Sequence, residues 1–388
     1  MILFKNGLIY SIKEEPFVGN IVVENDKIFS VTKNLPSGNF EKEIELNGRA
    51  VIPGFIDAHS HEGMIQGEIG DAGDDINEMS DPITPQLRAI DGINPHDPSL
   101  IEGVQSGVTV INTGPGSANV FGGSFAIISP IGHIVDEMII KSPSAIKLAF
   151  GENPKDVYSK NDKEPQTRMA IAALAREWFY KAQDYYEKKK KFEEDPEDDD
   201  KKYEFDLKLE ALSDALSRKV PVHIHAHRAD DIATAIRLSE EFGFELVLIH
   251  ATEGHKIADY IASKNIPCIV GPSFPGREKA ELNEISFETV SILHNAGVKI
   301  AIQSDTLPPL KYFHSIVCMA VKYGMSKEDA LKAVTLNAAE ILHIDNEYGS
   351  LEKGKKADIV IFDKKDPLDF YAHVDKCYIS GVEVYSRK

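Results

Sequence analysis

Residues 50–61 of the chain read Ala-Val-Ile-Pro-Gly-Phe-Ile-Asp-Ala-His-Ser-His. A short apolar run with β-branched residues ends here in two histidines, His59 and His61. Residues two apart on an extended strand point to the same side, so Asp57 and both histidines are expected to face one way. Two neutral imidazoles at a strand end can bind a cation such as Zn²⁺, and the carboxylate could orient a ring or join the ligands. Two histidines hydrogen-bonded in a polar loop would give the same pattern, so the rest of the chain has to decide.

The composition is that of a soluble globular protein, with 42% hydrophobic and 27% charged residues among 388. No apolar run approaches the ~18 residues of a membrane span, and the N-terminus has no secretory pattern, so we expect a cytoplasmic protein without membrane contact. The net charge of −19 argues against nucleic acid as a partner, because phosphate binding needs a basic surface. Three widely separated cysteines indicate neither a disulfide framework nor a thiolate metal site.

Both ends of the chain carry short apolar or alternating runs divided by turns, and neither set could bury a core alone. We therefore predict that residues 1–50 and 346–388 form one small β module. Between them, strand patterns alternate with helix patterns, which is typical of βα units and a parallel sheet. After the strand that precedes His59, the strand candidates are 109–112, 124–128, 145–150, 220–225, 245–250, 268–270 and 298–302. About eight strands favour an α/β fold with a (β/α)₈ barrel over residues 51–345.

One long interruption, at about 153–219, contains two amphipathic helix patterns joined by an acidic turn. We interpret it as a helical hairpin inserted after one strand. Strand-to-helix loops of a barrel cluster on its active-site face, so the insertion is a candidate lid or a candidate contact in a homo-oligomer. A packed element without a catalytic part fits the pattern equally well.

Polar side chains stand at the ends of several apolar runs. His225, His250 and Asp305 each end or follow such a run, and Glu152 comes shortly after the run 145–150. In a parallel barrel these strand ends converge on one mouth. Any one of these residues alone is more often a polar side chain that is hydrogen-bonded within the protein. Imidazoles and carboxylates at several strand ends together indicate a metal site, and a catalytic metal site leaves one coordination position open for water.

The ordered set of motifs resembles the amidohydrolase superfamily of metal-dependent hydrolases, its imidazolonepropionase-like branch in particular. The set consists of Pro-Gly-Phe-Ile-Asp-Ala-His-Ser-His at 53–61, the two later histidines, Asp305, Thr-Leu-Asn-Ala-Ala at 335–339 and Gly-Ser-Leu-Glu-Lys-Gly-Lys-Lys-Ala-Asp at 349–358. The resemblance implies a distorted (β/α)₈ TIM barrel with a β-sandwich built from both termini. It also implies one or two Zn²⁺ ions, with the ligands His59, His61, His225, His250 and Asp305.

Two-metal members of this family have a carboxylate that bridges the two metal ions. This chain has two candidates for the bridging group, Glu152 and Lys147. Glu152 is preferred because it is already an anion at the strand end, whereas Lys147 would need to be carboxylated. If neither bridges, the site holds one metal. His223 and His227 share strand parity with His225, so the histidine that binds metal could shift by two residues. His227, with Arg228, is predicted instead to contact the substrate, and His223 is predicted to be structural.

The resemblance implies hydrolysis of a C–N bond other than a peptide bond, in a small-molecule amide or cyclic amide. A metal-activated hydroxide would attack the carbonyl, with Asp305 as general base and then general acid. Deamination of a heterocycle uses the same parts and is the nearest alternative. A dipeptidase and a non-catalytic scaffold stay open as well. Arg228, Arg277 and Lys147 are candidates to meet a substrate carboxylate.

Overall fold

The computed structural model describes residues 1–65, 70–198, 202–274, 276, 279–305 and 309–388. Arg277, considered above for a substrate carboxylate, lies outside the described residues. Within this part of the chain, none of the helices combines the length and the apolar character needed to cross a bilayer.

The described residues form strands at both ends of the chain and alternating strands and helices between them. The strands are β1 (Ile2–Ile9), β2 (Phe17–Glu24), β3 (Lys27–Thr32), β4 (Lys42–Glu45), β5 (Ala50–Pro53), β6 (Phe55–Ser60), β7 (Val108–Thr113), β8 (Phe121–Ser124), β9 (Ala126–Ile128), β10 (Ile139–Lys141), β11 (Ile146–Ala149), β12 (Val222–Ala226), β13 (Leu246–His250), β14 (Cys268–Val270), β15 (Ile300–Ile302), β16 (Ile359–Phe362), β17 (Val374–Ile379) and β18 (Val382–Ser386). The α-helices are α1 (Pro98–Gln105), α2 (Val135–Met138), α3 (Glu152–Ser159), α4 (Arg168–Glu194), α5 (Leu207–Leu216), α6 (Ala229–Phe242), α7 (Ala258–Ser263), α8 (Glu288–Asn295), α9 (Phe313–Lys322), α10 (Lys327–Ala333) and α11 (Leu336–Ile341).

The two ends of the chain form one sheet, in the strand order β18-β17-β16-β5-β1-β2-β3, with β4 also paired to β1. The ring of Phe4 on β1 meets the ring of Tyr378 on β17 at 4.9 Å between centroids, although two strands separate β1 from β17 in the sheet. The sheet therefore folds over a shared apolar interior, to which Ile21, Leu46 and Ile359 also contribute. This sandwich-like module confirms the prediction that both termini build it together.

The chain passes from this terminal sheet into the second set of strands at Gly54, between β5 and β6. A Cβ atom at this position would lie 1.9 Å from Thr109 Oγ1, so glycine is needed for the close approach of the two segments. The transition places the following strand, β6, in parallel beside β7.

The middle of the chain forms two sheets. In the larger one, β11 to β15 run parallel in the order of the sequence, and β8 lies antiparallel at its edge. The smaller one has the order β10-β9-β7-β6. β12 and β13 are buried along their whole length, which explains why they read as continuous apolar runs broken only by histidines.

Backbone hydrogen bonds link the two sheets in two places. The Asp305 amide donates to the His59 carbonyl, and the His61 amide donates to the Asp305 carbonyl, each at 3.2 Å. Where β8 passes into β9, the Phe125 amide donates to the Ala145 carbonyl and the Ser144 amide to the Phe125 carbonyl, each at 2.9 Å. The strands thus follow one another around a distorted barrel of the (β/α)₈ type, as the sequence predicted.

Helices α3 to α5 occupy the long segment between β11 and β12. At the start of α4, Arg168 Nε lies 2.9 Å from a carboxylate oxygen of Asp231, in the first turn of α6. Further along α4, Phe179 stacks on Phe244, just before β13, at 4.9 Å between ring centroids. Helix α4 therefore runs down the outside of the barrel, away from the C-terminal ends of the strands. This direction favours the packed interpretation of the insertion over the lid.

Candidate metal centre

The histidines and the aspartate singled out in the sequence lie at the C-terminal ends of β6, β12, β13 and β15. His59, His61, His225 and His250 are all buried. His250 and Asp305 have positive φ angles, 70° and 61°, which residues other than glycine seldom adopt. Such strained backbone often occurs at functional sites, and here it lies at two of the strand ends from which candidate ligands project.

A first group of side chains surrounds the Asp305 carboxylate. Asp305 Oδ1 lies 3.3 Å from His61 Nε2 and 3.7 Å from His59 Nε2. His59, His250 and Asp305 each present one ligand atom, and the three atoms lie within 4.8 Å of one another. Three of the residues predicted as metal ligands thus face a common point, and His61 borders it.

Backbone carbonyls hold two of these imidazole rings. His61 Nδ1 lies 2.6 Å from the Gly114 carbonyl oxygen, and His250 Nδ1 lies 2.7 Å from that of Gly271. Gln303 Nε2 also lies 2.8 Å from His250 Nδ1. Because a carbonyl oxygen can only accept, Nδ1 of His61 carries the proton and its Nε2 keeps a free lone pair. This is the orientation that metal-binding histidines usually have.

A second group consists of His225, His227 and His250. Each offers one ring nitrogen, and these nitrogens lie within 4.8 Å of one another. The sequence placed His227 with the substrate contacts, but its ring lies 4.6 Å from those of both other histidines. His227 Nδ1 is 2.7 Å from Thr252 Oγ1, a hydroxyl that fixes the orientation of the ring.

Charges and burial set the protonation of these groups. Burial, together with the positive charge of Lys147, holds the pKa of His59 well below its usual range. Burial and the neighbouring histidines do the same for the pKa values of His225 and His227. Burial alone would raise the pKa of Asp305, but the neighbouring groups His61, His250 and Lys147 together outweigh it and lower that pKa. The donors are therefore neutral imidazoles and an ionised carboxylate, which are the forms that bind metal ions.

Unpartnered buried atoms agree with this interpretation. Neither ring nitrogen of His225 and neither of His223 has a hydrogen-bond partner among the described residues, and His59 Nδ1 has none either. Buried polar atoms are normally paired. A cation among the histidines would give His225 a partner, so the residues present fit a bound metal ion.

The two candidates for a bridging group are placed very differently. Lys147 is fully buried, its Nζ is 3.4 Å from His59 Nε2, and burial lowers its pKa to about 8. Glu152 follows Gly151, whose φ of 97° turns the chain, and it starts α3. Among the described residues it belongs to neither ligand group. The geometry therefore favours Lys147 over Glu152, against the preference drawn from the sequence.

Asp57 does not reach the ligand groups, although it shares their strand. Its carboxylate accepts hydrogen bonds from the Ser304 amide at 3.2 Å, from the Ser304 hydroxyl and from the His59 amide at 3.4 Å. Burial raises its pKa to about 8. Asp57 thus ties the first barrel strand to the segment after the last one.

Arg228, predicted to contact the substrate, is held elsewhere. Its guanidinium donates to both carboxylate oxygens of Asp230, at 2.9 and 2.7 Å, and 42% of its side chain is exposed. Lys279 was not predicted as a site residue from the sequence. It donates to Asn153 Oδ1, and its charge helps to lower the pKa values of His225 and His227.

Glu281, a fully buried residue in the same loop after β14, was not predicted from the sequence either. Its Oε2 accepts from the Glu152 amide at 2.8 Å and lies 3.6 Å from Arg168 Nη2. This loop has no apolar periodicity, so the sequence carries no signal for either residue.

Comparisons with known proteins agree with this architecture. The model of the "Amidohydrolase family" matches residues 50–384. The "Amidohydrolase tasK" of Hapsidospora irregularis is 29% identical over 94% of this chain, and the chain spans 40% of the length of that protein. An imidazolonepropionase of Picrophilus torridus is 24% identical over 95% of this chain and 90% of its own length.

Among solved structures, an amidohydrolase from Thermotoga maritima MSB8 superposes with a TM-score of 0.95 and 42% identity, covering all of both chains. A 5-methylcytosine deaminase from Klebsiella pneumoniae, at 14% identity, shares the fold alone, with a TM-score of 0.60 over all of this chain and 98% of its own. From the match over most of its length, the chain belongs to the amidohydrolase family.

Proposed function

We propose that this chain is a metal-dependent hydrolase that cleaves a C–N bond in a small amide or cyclic amide. The observation that carries the proposal is the convergence of His59 and His61 Nε2 on Asp305 Oδ1, with the His61 ring held by a carbonyl through its other nitrogen. Zn²⁺ is the proposed metal, because imidazole nitrogens and a carboxylate suit it.

His59, His61 and Asp305 would hold one cation, and His225 and His250 would hold another if two are bound. Lys147, buried against His59, is the better placed residue to bridge them, once carboxylated. When bound, a divalent cation lowers the pKa of water from 15.7 to about 7 and polarises a carbonyl oxygen.

Asp305 would supply the proton transfers. Because its pKa is lowered, the carboxylate is ionised at neutral pH and can accept the proton of the attacking water. Once protonated, it can deliver that proton to the leaving nitrogen, so that one group serves first as base and then as acid. The buried setting of the surrounding histidines limits access of other water to the reacting carbon.

The substrate contacts need revision. Asp230 holds Arg228, whereas the ammonium group of Lys279 reaches the strand ends through Asn153, which in turn donates to Ser117 Oγ at 2.7 Å. Lys279 therefore replaces Arg228 in the proposal as the residue that meets an anionic group of the substrate.

Two experiments test the proposal. The metal content per chain, measured by plasma mass spectrometry on protein purified without chelator, should be one or two zinc equivalents. The protein should then be screened against N-acyl amino acids, dipeptides, cyclic amides and aminated heterocycles. Asp305→Asn should lower kcat/KM on any substrate found by about 10²- to 10⁴-fold, while the surface variant Asp230→Asn should not.

The outcomes separate the alternatives. Release of ammonia from a ring would identify a deaminase, and cleavage of dipeptides alone would identify a dipeptidase. A folded protein that binds no metal would contradict the hydrolase and leave the scaffold. An unchanged rate in Asp305→Asn would remove this residue from the mechanism.

A further inference from the structure

We infer that His227 is a metal ligand, and that it completes a three-histidine position with His225 and His250. The ring centroids of the three residues form a nearly equilateral triangle with sides of 4.5, 4.6 and 4.6 Å. One nitrogen of each ring lies within 4.8 Å of the nitrogens of the other two. The inference rests on the proposed metal dependence and concerns which residues form the second position.

The strands explain why the three rings meet. His225 and His227 are two residues apart at the end of β12, so their side chains leave the extended backbone on the same side. β13 is the parallel neighbour of β12, and His250 is in register with Ala226, which lies between the two histidines. Three imidazoles from two adjacent strands therefore share one edge of the sheet.

The contacts of the rings leave nitrogens for a cation. Thr252 Oγ1 lies beside His227 Nδ1, and the Gly271 carbonyl and the Gln303 amide nitrogen lie beside His250 Nδ1, so that both Nε2 atoms are free of these contacts. His225 has no hydrogen-bond partner at either nitrogen among the described residues. All three rings are more than nine-tenths buried, which excludes bulk water as the general partner.

A substrate contact explains this arrangement less well. Lone pairs on neutral imidazole nitrogens that lie within 4.8 Å of one another repel, and a cation among them removes that repulsion. Three neutral nitrogen donors, with a fourth position left for water or substrate, are a usual ligand set of catalytic zinc. A histidine that serves only the substrate would not need to lie 4.6 Å from two others.

The arrangement has a consequence for the bridging residues. Three protein ligands can hold a cation without help from a shared carboxylate. The three-histidine position should therefore keep its metal when Glu152 and Lys147 are both replaced, whereas a position formed by His225 and His250 alone should lose it.

The test compares metal binding in four forms of the full chain: the parent, His227→Ala, the control His223→Ala and the double variant Lys147→Met/Glu152→Gln. His223 is a matched control, because it is a buried histidine on the same strand that belongs to neither ligand group among the described residues. Zinc content per chain and Co²⁺ titration followed by visible absorption are the readouts. Circular dichroism reports whether each variant is folded.

We expect two metals per chain in the parent, the His223 variant and the double variant, and one in His227→Ala. The affinity of the lost position should fall by about 100-fold or more, since removal even of the groups that orient a ligand costs 10- to 100-fold. His227→Cys, which keeps a ligand atom, should recover part of the binding.

Parent-like stoichiometry and affinity in His227→Ala would overturn the inference, and so would loss of the second metal from the folded double variant. A parent with one metal that is unaffected by His227→Ala overturns it while leaving the hydrolase proposal intact. A parent without metal overturns both. If His227→Ala does not fold, X-ray absorption of the zinc-loaded parent decides: an average above two histidines per zinc supports the inference, and two or fewer contradicts it.

Discussion

Glu281 is a buried acid whose ionisation should make the stability of the protein depend on pH. It lies in the loop after β14, fully buried, and its Oε2 accepts from the Glu152 amide at 2.8 Å. Burial is the main reason that its pKa rises from 4.5 to about 7. Glu281→Gln keeps the shape and an accepting oxygen but removes the charge.

The sign and size of the effect on stability follow from the shift in the pKa of Glu281. Because the pKa is higher in the folded than in the unfolded chain, the stabilising contribution of protonated Glu281 is complete below pH 4.5 and is lost as the pH rises through 7. A difference of about 2.5 pKa units corresponds to about 3.4 kcal/mol. For a chain of 388 residues this is about 4 °C in Tm.

Differential scanning calorimetry of the parent and Glu281→Gln, from pH 4.5 to 8.5, measures this directly. The two Tm values should agree at pH 4.5, and the variant should be more stable by about 4 °C at pH 8. Arg168 keeps its pairing with Asp231 in both proteins, so the difference reports the charge of Glu281, including its contact with Arg168 Nη2 at 3.6 Å. A Tm difference that does not change with pH would refute the argument.

Three further predictions concern packing and metal. Gly54→Ala should lower the free energy of unfolding by about 1–3 kcal/mol through overpacking, because the new Cβ would meet the Thr109 side chain. Adding Thr109→Ala to this variant should restore part of the loss. Equal Tm values for Gly54→Ala and the double variant would contradict this. Phe179→Ala should cost about 3–5 kcal/mol, or about 4–6 °C, because its ring is fully buried, while Met169→Ala on the exposed side of the same helix should change Tm little. Removing metal with a chelator should lower Tm, and free zinc at 100 times its Kd should restore about 2.7 kcal/mol of the free energy of unfolding. A Tm that does not change when zinc is added would show that the folded state binds none.

The sequence was sufficient for the barrel and for locating the strand ends at which the candidate ligands lie, because both depend on local pattern. The continuous apolar run of β13 ends in His250, and alternation along β6 places His59 inward, so strand ends could be located from residue types alone. The predicted strand 124–128 is wrong in detail: it divides at Phe125 into β8 and β9, which belong to different sheets. An apolar run does not reveal a change of partner within it.

The choice between Lys147 and Glu152 shows the limit of such reasoning. Glu152 is charged and stands after a strand, but the left-handed turn at Gly151 redirects the chain there. Lys147 reads as an interruption of an apolar strand, and only its register beside His223 reveals that it points into the barrel. The ion pair between Arg228 and Asp230 likewise depends on side-chain conformation, which cannot be predicted from residue types.

The terminal sheet has a consequence for how the protein is made. β5 pairs with β1 on one side and with β16 on the other, but about 300 residues of chain separate β5 from β16. At ribosomal rates of about 5–20 residues per second, β16 is synthesised roughly 15–60 s after β5. During translation the apolar edge of β5 stays open to other nascent chains, so yield in a cell should depend on chaperones that shield the first 53 residues until the last strands emerge.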